Sequence, residues 1–136
     1  HDSEQMRVAV HVALGEEYQA TGDYVTAIRE YEKAKQLNPR SSLTHFRLGE
    51  VFFEQQNLST AANSFRDTLN GDLSPEWIET WAHIYLGKIY DILGQRQRAM
   101  AEYQKAINTR NDYHEAQAEA QKHLEVAFTQ PQTLIR

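Results

Sequence analysis

Three histidines, His11, His45 and His83, recur at equivalent places in this chain and are its first candidates for chemistry. Imidazole nitrogens bind zinc at about 2 Å, so three of them brought together would make a metal site. Equivalent positions on neighbouring packed helices, however, lie roughly 9–10 Å apart. That separation is too large for one ion. The spacing therefore predicts no metal site and a packed, hydrogen-bonded structural role for the three rings.

No other combination of residues indicates catalysis. Glu119 and His123 stand four residues apart, which favours a helix-stabilising pair. The serines that could act as nucleophiles lie at expected helix starts, where capping explains them. The sequence contains no Cys, which excludes thiolate metal sites, disulfides and a cysteine nucleophile. It also has no glycine-rich phosphate loop. We therefore expect a protein that is not an enzyme and that holds neither a cofactor nor a metal.

The three histidines belong to a longer pattern that occurs three times. Each copy continues as Leu-Gly, then an aromatic residue, then Ala, a second aromatic residue and a small residue. The glycines of the three copies are Gly15, Gly49 and Gly87, so they are spaced by 34 and then 38 residues. A period near 34 residues indicates one helix-turn-helix unit per repeat, stacked on its neighbours.

Apolar residues at helical spacing, separated by turn residues, predict the order of the helices. Six helices are expected over 4–21, 24–37, 42–55, 58–69, 75–93 and 95–108, and a seventh over 113–129. Either Ser41 or Ser42 should cap the third of them. Gly22 and Gly94 should turn the chain within the first and third units. The four additional residues of the longer spacing should start the fifth helix one turn early, near Pro75. Asp112 is expected to cap the last helix and Pro131 to end it.

The pattern Leu-Gly-x-x-Tyr, then Ala, then Tyr or Phe, then Ala resembles the tetratricopeptide repeat. The resemblance implies an all-α fold, an α-solenoid of three helix-turn-helix units with a C-terminal capping helix. The units are expected at about 8–41, 42–75 and 76–112, the capping helix at 113–129. Residues 1–129 would form a single domain, and 130–136 a tail. His stands where the family often has Trp, and the family's closing proline is present only as Pro39, departures that leave the fold intact.

In this family the first helix of each unit lines a groove, and the resemblance places a set of residues there. These positions lie opposite the Leu-Gly-Tyr side, and in the second and third units several are apolar or aromatic, as is typical of binding surfaces. The predicted partner-binding residues are Val12, Glu16, Phe46, Arg47, Glu50, Phe53, Trp77, Trp81, Tyr85 and Lys88. Trp77, Trp81 and Tyr85 share one side of a helix, and packing against a neighbouring helix is the alternative for them.

The predicted function is a non-catalytic protein–protein interaction module that binds a peptide or helix in the groove. Acidic residues beside the apolar ones suit a peptide with apolar anchors and a Lys or Arg. Some members grip chaperone C-terminal carboxylates with a Lys, Asn and Arg clamp, but only Arg47 is suitable here, so that partner is not expected. The alternative is a structural, self-associating segment of a larger protein, since Leu134 and Ile135 of the tail have no evident core.

Charge and hydropathy limit the remaining classes of partner. The chain has 14 Lys and Arg against 19 Asp and Glu, a net charge of −5, which argues against nucleic acid. There is no run of about 18 apolar residues, so membrane insertion is not expected. We expect a soluble protein of the cytoplasm or the periplasm, and the absence of Cys does not choose between these compartments.

Overall fold

A computed structural model of the protein describes residues 2–131. This range contains no strand and seven α-helices: α1 (Asp2–Thr21), α2 (Tyr24–Leu37), α3 (Ser42–Glu54), α4 (Leu58–Leu69), α5 (Trp77–Ile92), α6 (Arg96–Asn108) and α7 (Ala116–Glu125). One turn of 3-10 helix, Tyr113–Glu115, precedes α7. The pairs α1–α2, α3–α4 and α5–α6 are the three predicted hairpins. The predicted fold class, all-α repeats followed by a capping helix, is confirmed.

The helices belong to two compact units, the first ending at Ile78 and the second beginning at Glu79. The first unit holds the first two hairpins, and the second unit holds most of α5 together with α6 and α7. No helix within residues 2–131 has both the length and the apolar character needed to cross a membrane. The division into a single domain and a tail stays a prediction.

Local side chains explain why the predicted starts of α2 and α3 agree with the structure. Asp23 caps α2, because its carboxylate accepts a hydrogen bond from the Thr26 amide at 3.2 Å. Ser41 caps α3 by accepting from the Thr44 amide at 3.4 Å. Gly22, with a φ of +85°, takes the left-handed conformation that ends α1. These short-range interactions are readable from sequence, which is why the boundaries agree.

The connection between α4 and α5 differs from the predicted early helix start. α5 begins at Trp77 and not at Pro75. The Asp72 carboxylate accepts from the amides of Ser42 at 3.1 Å and Ser74 at 3.2 Å. The Ser42 hydroxyl in turn accepts from the Leu73 amide at 2.9 Å. The additional residues therefore fold back on the start of α3 and do not extend α5 by a full turn.

The last helix is shorter than predicted at both ends. α7 spans Ala116–Glu125, and Val126 is already extended, with φ −129° and ψ 118°. Asp112 lies before α7 and not at its cap position. Its carboxylate nevertheless accepts a hydrogen bond from the Gln117 amide at the start of the helix, at 3.0 Å. Pro131 therefore does not end the helix. The expectation about Leu134 and Ile135 lies outside the described residues.

Within each hairpin, an aromatic ring of the second helix lies directly on a glycine of the first. A Cβ added to Gly15 would lie 2.4 Å from the nearest ring carbon of Tyr31. A Cβ added to Gly87 would lie 2.4 Å from the ring of Tyr103, and the second hairpin repeats the arrangement with Phe65. All three rings are fully buried. The repeated glycine is needed because no other residue lets the helices approach so closely.

All three repeated histidines are hydrogen bonded, two of them within their own hairpins. His11 Nδ1 lies 2.9 Å from the Glu30 carboxylate, and His83 Nδ1 lies 2.9 Å from that of Glu102. In the second hairpin His45 Nε2 instead lies 2.7 Å from the carbonyl oxygen of Pro39. Residues 2–131 contain no cluster of three or more side chains able to hold a metal ion.

The contact between His83 and Glu102 lowers the pKa of the Glu102 carboxyl group. Burial raises the pKa of Glu102, but the hydrogen bonds that the carboxylate receives from His83 and Lys105 lower it more. The pKa of Glu102 therefore lies below its usual value of 4.5. A carboxylate that stays ionised and bonded while buried contributes to stability at neutral pH.

Candidate functional site

In the first unit, α1 and α3 place four polar side chains side by side: Glu16, Gln19, Arg47 and Glu50. Arg47 Nε donates to Glu16 at 3.0 Å, and Arg47 Nη1 donates to Glu50 at 2.9 Å. Gln19 Nε2 donates to Glu50 at 3.3 Å. With Ala20 these residues line a shallow depression of about 310 Å³, called here the first-unit face. Two carboxylates share one guanidinium, so the face carries one net negative charge.

Aromatic rings hold the guanidinium of Arg47 in place. It lies 5.9 Å from the ring centre of Phe46 and 5.7 Å from that of Trp77, within cation–π range. Burial lowers the pKa of Arg47, but the carboxylates of Glu50 and Glu16 raise it by more, so the net shift is upward. The guanidinium therefore stays charged and keeps both carboxylates oriented.

The structure places two of the predicted binding residues of this unit in the core. Phe46 is 2% exposed and packs edge-to-face on Phe65 and Trp77, with ring centres 5.5 and 5.3 Å apart. Val12 is 8% exposed. Phe53 is half-buried. Helical spacing identifies the side of a helix but not the depth of a neighbouring ring, which explains why Phe46 was assigned to the surface.

In the second unit, Lys88 of α5 lies among residues of α7 and of the segment that follows it. Its Nζ lies 2.8 Å from the Glu119 carboxylate, 5.0 Å from the ring centre of Phe128 and 5.7 Å from that of Tyr85. Glu119 also contacts His123 Nε2 at 3.3 Å. Burial raises the pKa of Glu119, but the hydrogen bond and charge of Lys88, helped by His123, bring it below the usual value. The cation of Lys88 is therefore neutralised within the unit.

Trp81 takes the packing role that was the alternative for the aromatic residues of α5. Its indole Nε1 donates to the Tyr113 carbonyl oxygen at 2.8 Å. Its ring packs against a core cluster that includes Ala116 and Ala120 of α7. Tyr85 lies beside it, with ring centres 6.3 Å apart, and both rings remain half-buried. Both residues therefore keep part of their surface exposed.

Asp91, near the end of α5, accepts hydrogen bonds from three separate parts of the second unit. Arg96 Nη1 donates to both carboxylate oxygens, at 3.1 and 3.0 Å. The Tyr103 hydroxyl donates at 2.8 Å and the Phe128 amide at 2.9 Å. The Asp91 side chain is 1% exposed. Sequence reasoning missed the link to Phe128, because residues 126–129 were expected to be helical and not to return to α5.

Comparisons with family models and curated proteins agree with the repeat pattern. A model described as TPR repeat matches residues 15–56, and one described as Tetratricopeptide repeat matches residues 82–113, together just over half of the chain. Human Superkiller complex protein 3 is 29% identical over 96 residues. These residues are 71% of this chain but 6% of that protein, so the chain spans a small part of its curated relative.

Solved structures show the same fold. An O-GlcNAc transferase mutant of Thermobaculum terrenum is 27% identical with a TM-score of 0.75, covering 91% of this chain and 22% of that one. The first TPR of Spaghetti, bound to the HSP90 peptide SRMEEVD, is 19% identical with a TM-score of 0.75. The match covers 88% of this chain and 89% of that one. Such repeats generally serve as non-catalytic protein–protein interaction modules. The repeat pattern, the hairpins and both family models agree, and the chain belongs to the tetratricopeptide repeat family.

Proposed function

We propose that this chain is a non-catalytic interaction module whose first-unit face binds a protein segment carrying a Lys or Arg. The observation that supports this is the Glu16–Arg47–Glu50 arrangement. One guanidinium orients two carboxylates, at 3.0 and 2.9 Å, and leaves one negative charge unbalanced. The Glu16 side chain is 41% exposed. It can therefore accept a further hydrogen bond from a basic side chain without losing Arg47.

The charge of the first-unit face favours a basic partner over an acidic one. The peptide bound to Spaghetti, SRMEEVD, is rich in Glu and Asp. A peptide of that kind would place like charges opposite Glu16 and Glu50, which opposes binding. We therefore propose the opposite ligand charge for this chain.

Replacing Glu16 and Glu50 together with glutamine tests this proposal. Each glutamine keeps the size of the side chain and removes a charge worth about 0.5–1 kcal/mol to a basic ligand, so the affinity should fall about tenfold. The partner is first retrieved from source extract with the whole chain, and its affinity is then measured by calorimetry at low and high salt.

Glu17→Gln is the matched control, because Glu17 is an exposed neighbour on α1 that does not line the face. It should leave both the affinity and its salt dependence unchanged. An equal affinity for the double variant and the native chain would show that the carboxylates take no part in binding.

A second candidate function, self-association, is favoured by an exposed apolar stripe along α1. Its members recur every four residues and are 68%, 54%, 38% and 38% exposed: Met6, Val10, Leu14 and Tyr18. Leu48, the residue of α3 equivalent to Leu14, is only 1% exposed because it packs in a core cluster with residues of α2. We propose that a second copy of the chain covers this stripe.

Val10→Gln combined with Leu14→Gln should weaken self-association by about tenfold or more, since each substitution removes apolar area from the proposed contact. Analytical ultracentrifugation over a wide concentration range measures the effect. Val25→Gln is the control, because Val25 is a 65% exposed valine that lies on α2 and outside the stripe. A native chain that stays monomeric at every concentration would refute this candidate.

A further inference from the structure

The residues that follow α7 return to α5 and bind it as an extended peptide would. Val126 has extended backbone angles, and two residues later the Phe128 amide donates to the Asp91 carboxylate at 2.9 Å. Arg96 Nη2 donates to the Leu124 carbonyl oxygen at 2.8 Å, which fixes the point where the segment leaves the helix. The contact with Asp91 uses the backbone of the segment, so it does not require a particular side chain there.

One side chain of the segment, the ring of Phe128, lies in a defined site. This site, called here the seat, is formed by Lys88, His123 and Asp91. Lys88 Nζ lies 5.0 Å from the ring centre, and the His123 imidazole meets the ring edge-on, at 5.3 Å and 85°. A cation and a perpendicular ring are both arrangements that favour an aromatic side chain. Val126, by contrast, is 68% exposed. Phe128 is therefore the anchor of the segment.

The seat is held by contacts that do not involve Phe128. The Asp91 carboxylate is fixed by Arg96 and by the Tyr103 hydroxyl. Lys88 is fixed by Glu119 at 2.8 Å. Because these contacts remain when the ring leaves, the acceptor and the cation would keep their positions for another occupant.

We propose that the second unit carries a binding site for an extended, uncharged peptide segment with one aromatic residue, occupied in cis by residues 126–129 of the chain itself. This site deepens the proposed interaction function and rests on it, although it uses a different surface from the first-unit face. An external segment must displace the internal one, which is favoured by a high effective concentration. The internal segment therefore lowers the apparent affinity of the site for partners.

The probe for this site is a fluorescently labelled peptide with the sequence of residues 126–131, Val-Ala-Phe-Thr-Gln-Pro. Fluorescence anisotropy compares its binding to the full chain and to the full-length Phe128→Ala variant. The variant should bind the peptide about tenfold more tightly or better, because its own anchor no longer fills the seat. Phe128→Tyr should restore the weak binding of the native chain. Val126→Ala, a change at an exposed side chain, should bind like the native chain.

A peptide with Ala in place of its Phe should not bind any of the proteins. Equal binding of the original peptide to folded Phe128→Ala and to the native chain would overturn the proposal. If Phe128→Ala does not fold, hydrogen exchange on the native chain decides the question. Excess peptide should accelerate exchange of the Phe128 amide, and unchanged protection at saturating peptide would also overturn it.

The outcome is separable from that of the proposed function. The probe peptide contains no Lys or Arg, and Glu16 and Glu50 lie outside the second unit. A chain that binds its basic partner but never the probe would disprove only the cis-occupied site. A chain that binds the probe but shows no charge-dependent partner would disprove only the first-unit proposal.

Discussion

Replacing Asp91 with alanine should lower the free energy of unfolding by about 3 kcal/mol, measured by urea denaturation followed by circular dichroism. The carboxylate is almost fully buried and accepts from the Arg96 guanidinium, the Tyr103 hydroxyl and the Phe128 amide. Its removal leaves three donors without their acceptor, and each buried unpaired group is costly. Burial first, and then the hydrogen bond and charge of Asp91, raise the pKa of Tyr103, so the phenol is a protonated donor throughout the neutral range.

Asp67→Ala is the control for this experiment, since Asp67 is exposed on α4 and belongs to the first unit. Its effect should stay within about 0.5 kcal/mol. The loss of stability caused by Asp91→Asn should lie between those of Asp91→Ala and Asp67→Ala. Asparagine keeps an acceptor oxygen but loses the charge that Arg96 contacts. A stability for Asp91→Ala close to that of Asp67→Ala would mean that the three donors find other partners.

The hydrogen bond between Asp91 and the Tyr103 hydroxyl has an equivalent in the first hairpin. The equivalent position is Gln19 in the first hairpin, where its side-chain oxygen accepts from the Tyr31 hydroxyl at 2.5 Å. In the second hairpin the position is Phe53, and the ring that corresponds to Tyr31 is Phe65, which has no hydroxyl. A polar acceptor is therefore present where the buried ring is a tyrosine and absent where it is a phenylalanine. Hydrogen-bond satisfaction of a buried phenol explains this pairing.

Most of the fold was predictable because its determinants are local. The start and end of α2 and α4 agree with the predicted 24–37 and 58–69. Asp23 and Gly22 act within one turn of the helix ends they define. The glycine that recurs in phase in each hairpin was also visible in the sequence, but its contact with the Tyr103 ring was shown only by the structure. Local signals at the helix ends and the threefold repeat were thus the features that the structure confirmed.

The parts of the fold that differ depend on residues distant in sequence. α5 starts late because Asp72 binds the Ser42 amide, thirty residues earlier. α7 ends early, and the chain after it is held by Asp91, thirty-seven residues before Phe128. A helical pattern with an alanine face, such as the one that continues to residue 127, therefore overestimates the length of the last helix.

Helical spacing predicted which residues of the candidate site lie on the same surface, but not how deeply each side chain is buried. Glu16, Arg47 and Glu50 were assigned to one surface from helical spacing, and the structure brings them into hydrogen-bond contact. Phe46 was assigned to the same surface, but it lies beneath Arg47, where ring packing covers it. Spacing cannot show that one side chain lies on top of its neighbour. The charges of the surface were therefore predicted better than its apolar anchors.

Replacing Gly87 with alanine should destabilise the second unit by about 2 kcal/mol, although alanine favours a helix over glycine by about 1 kcal/mol. The added Cβ would lie 2.4, 2.7 and 2.8 Å from three ring carbons of Tyr103. The ring has no room to move away, because it is fully buried and its hydroxyl is bound to Asp91. Either α5 and α6 must separate or the bond to Asp91 must break. Urea denaturation of the full chain gives the change in stability.

The same substitution in a Tyr103→Leu background separates the steric cost from helix propensity. Leucine removes the ring that the new methyl group would meet, so alanine at position 87 should become neutral or stabilising there, by up to about 1 kcal/mol. The difference between the two backgrounds is the coupling energy of the contact, expected to be about 2–3 kcal/mol. Equal effects in both backgrounds would show that the close approach of α5 and α6 does not depend on this glycine. A reversal of sign would identify the glycine–aromatic contact as the reason why Leu-Gly recurs three times along the chain.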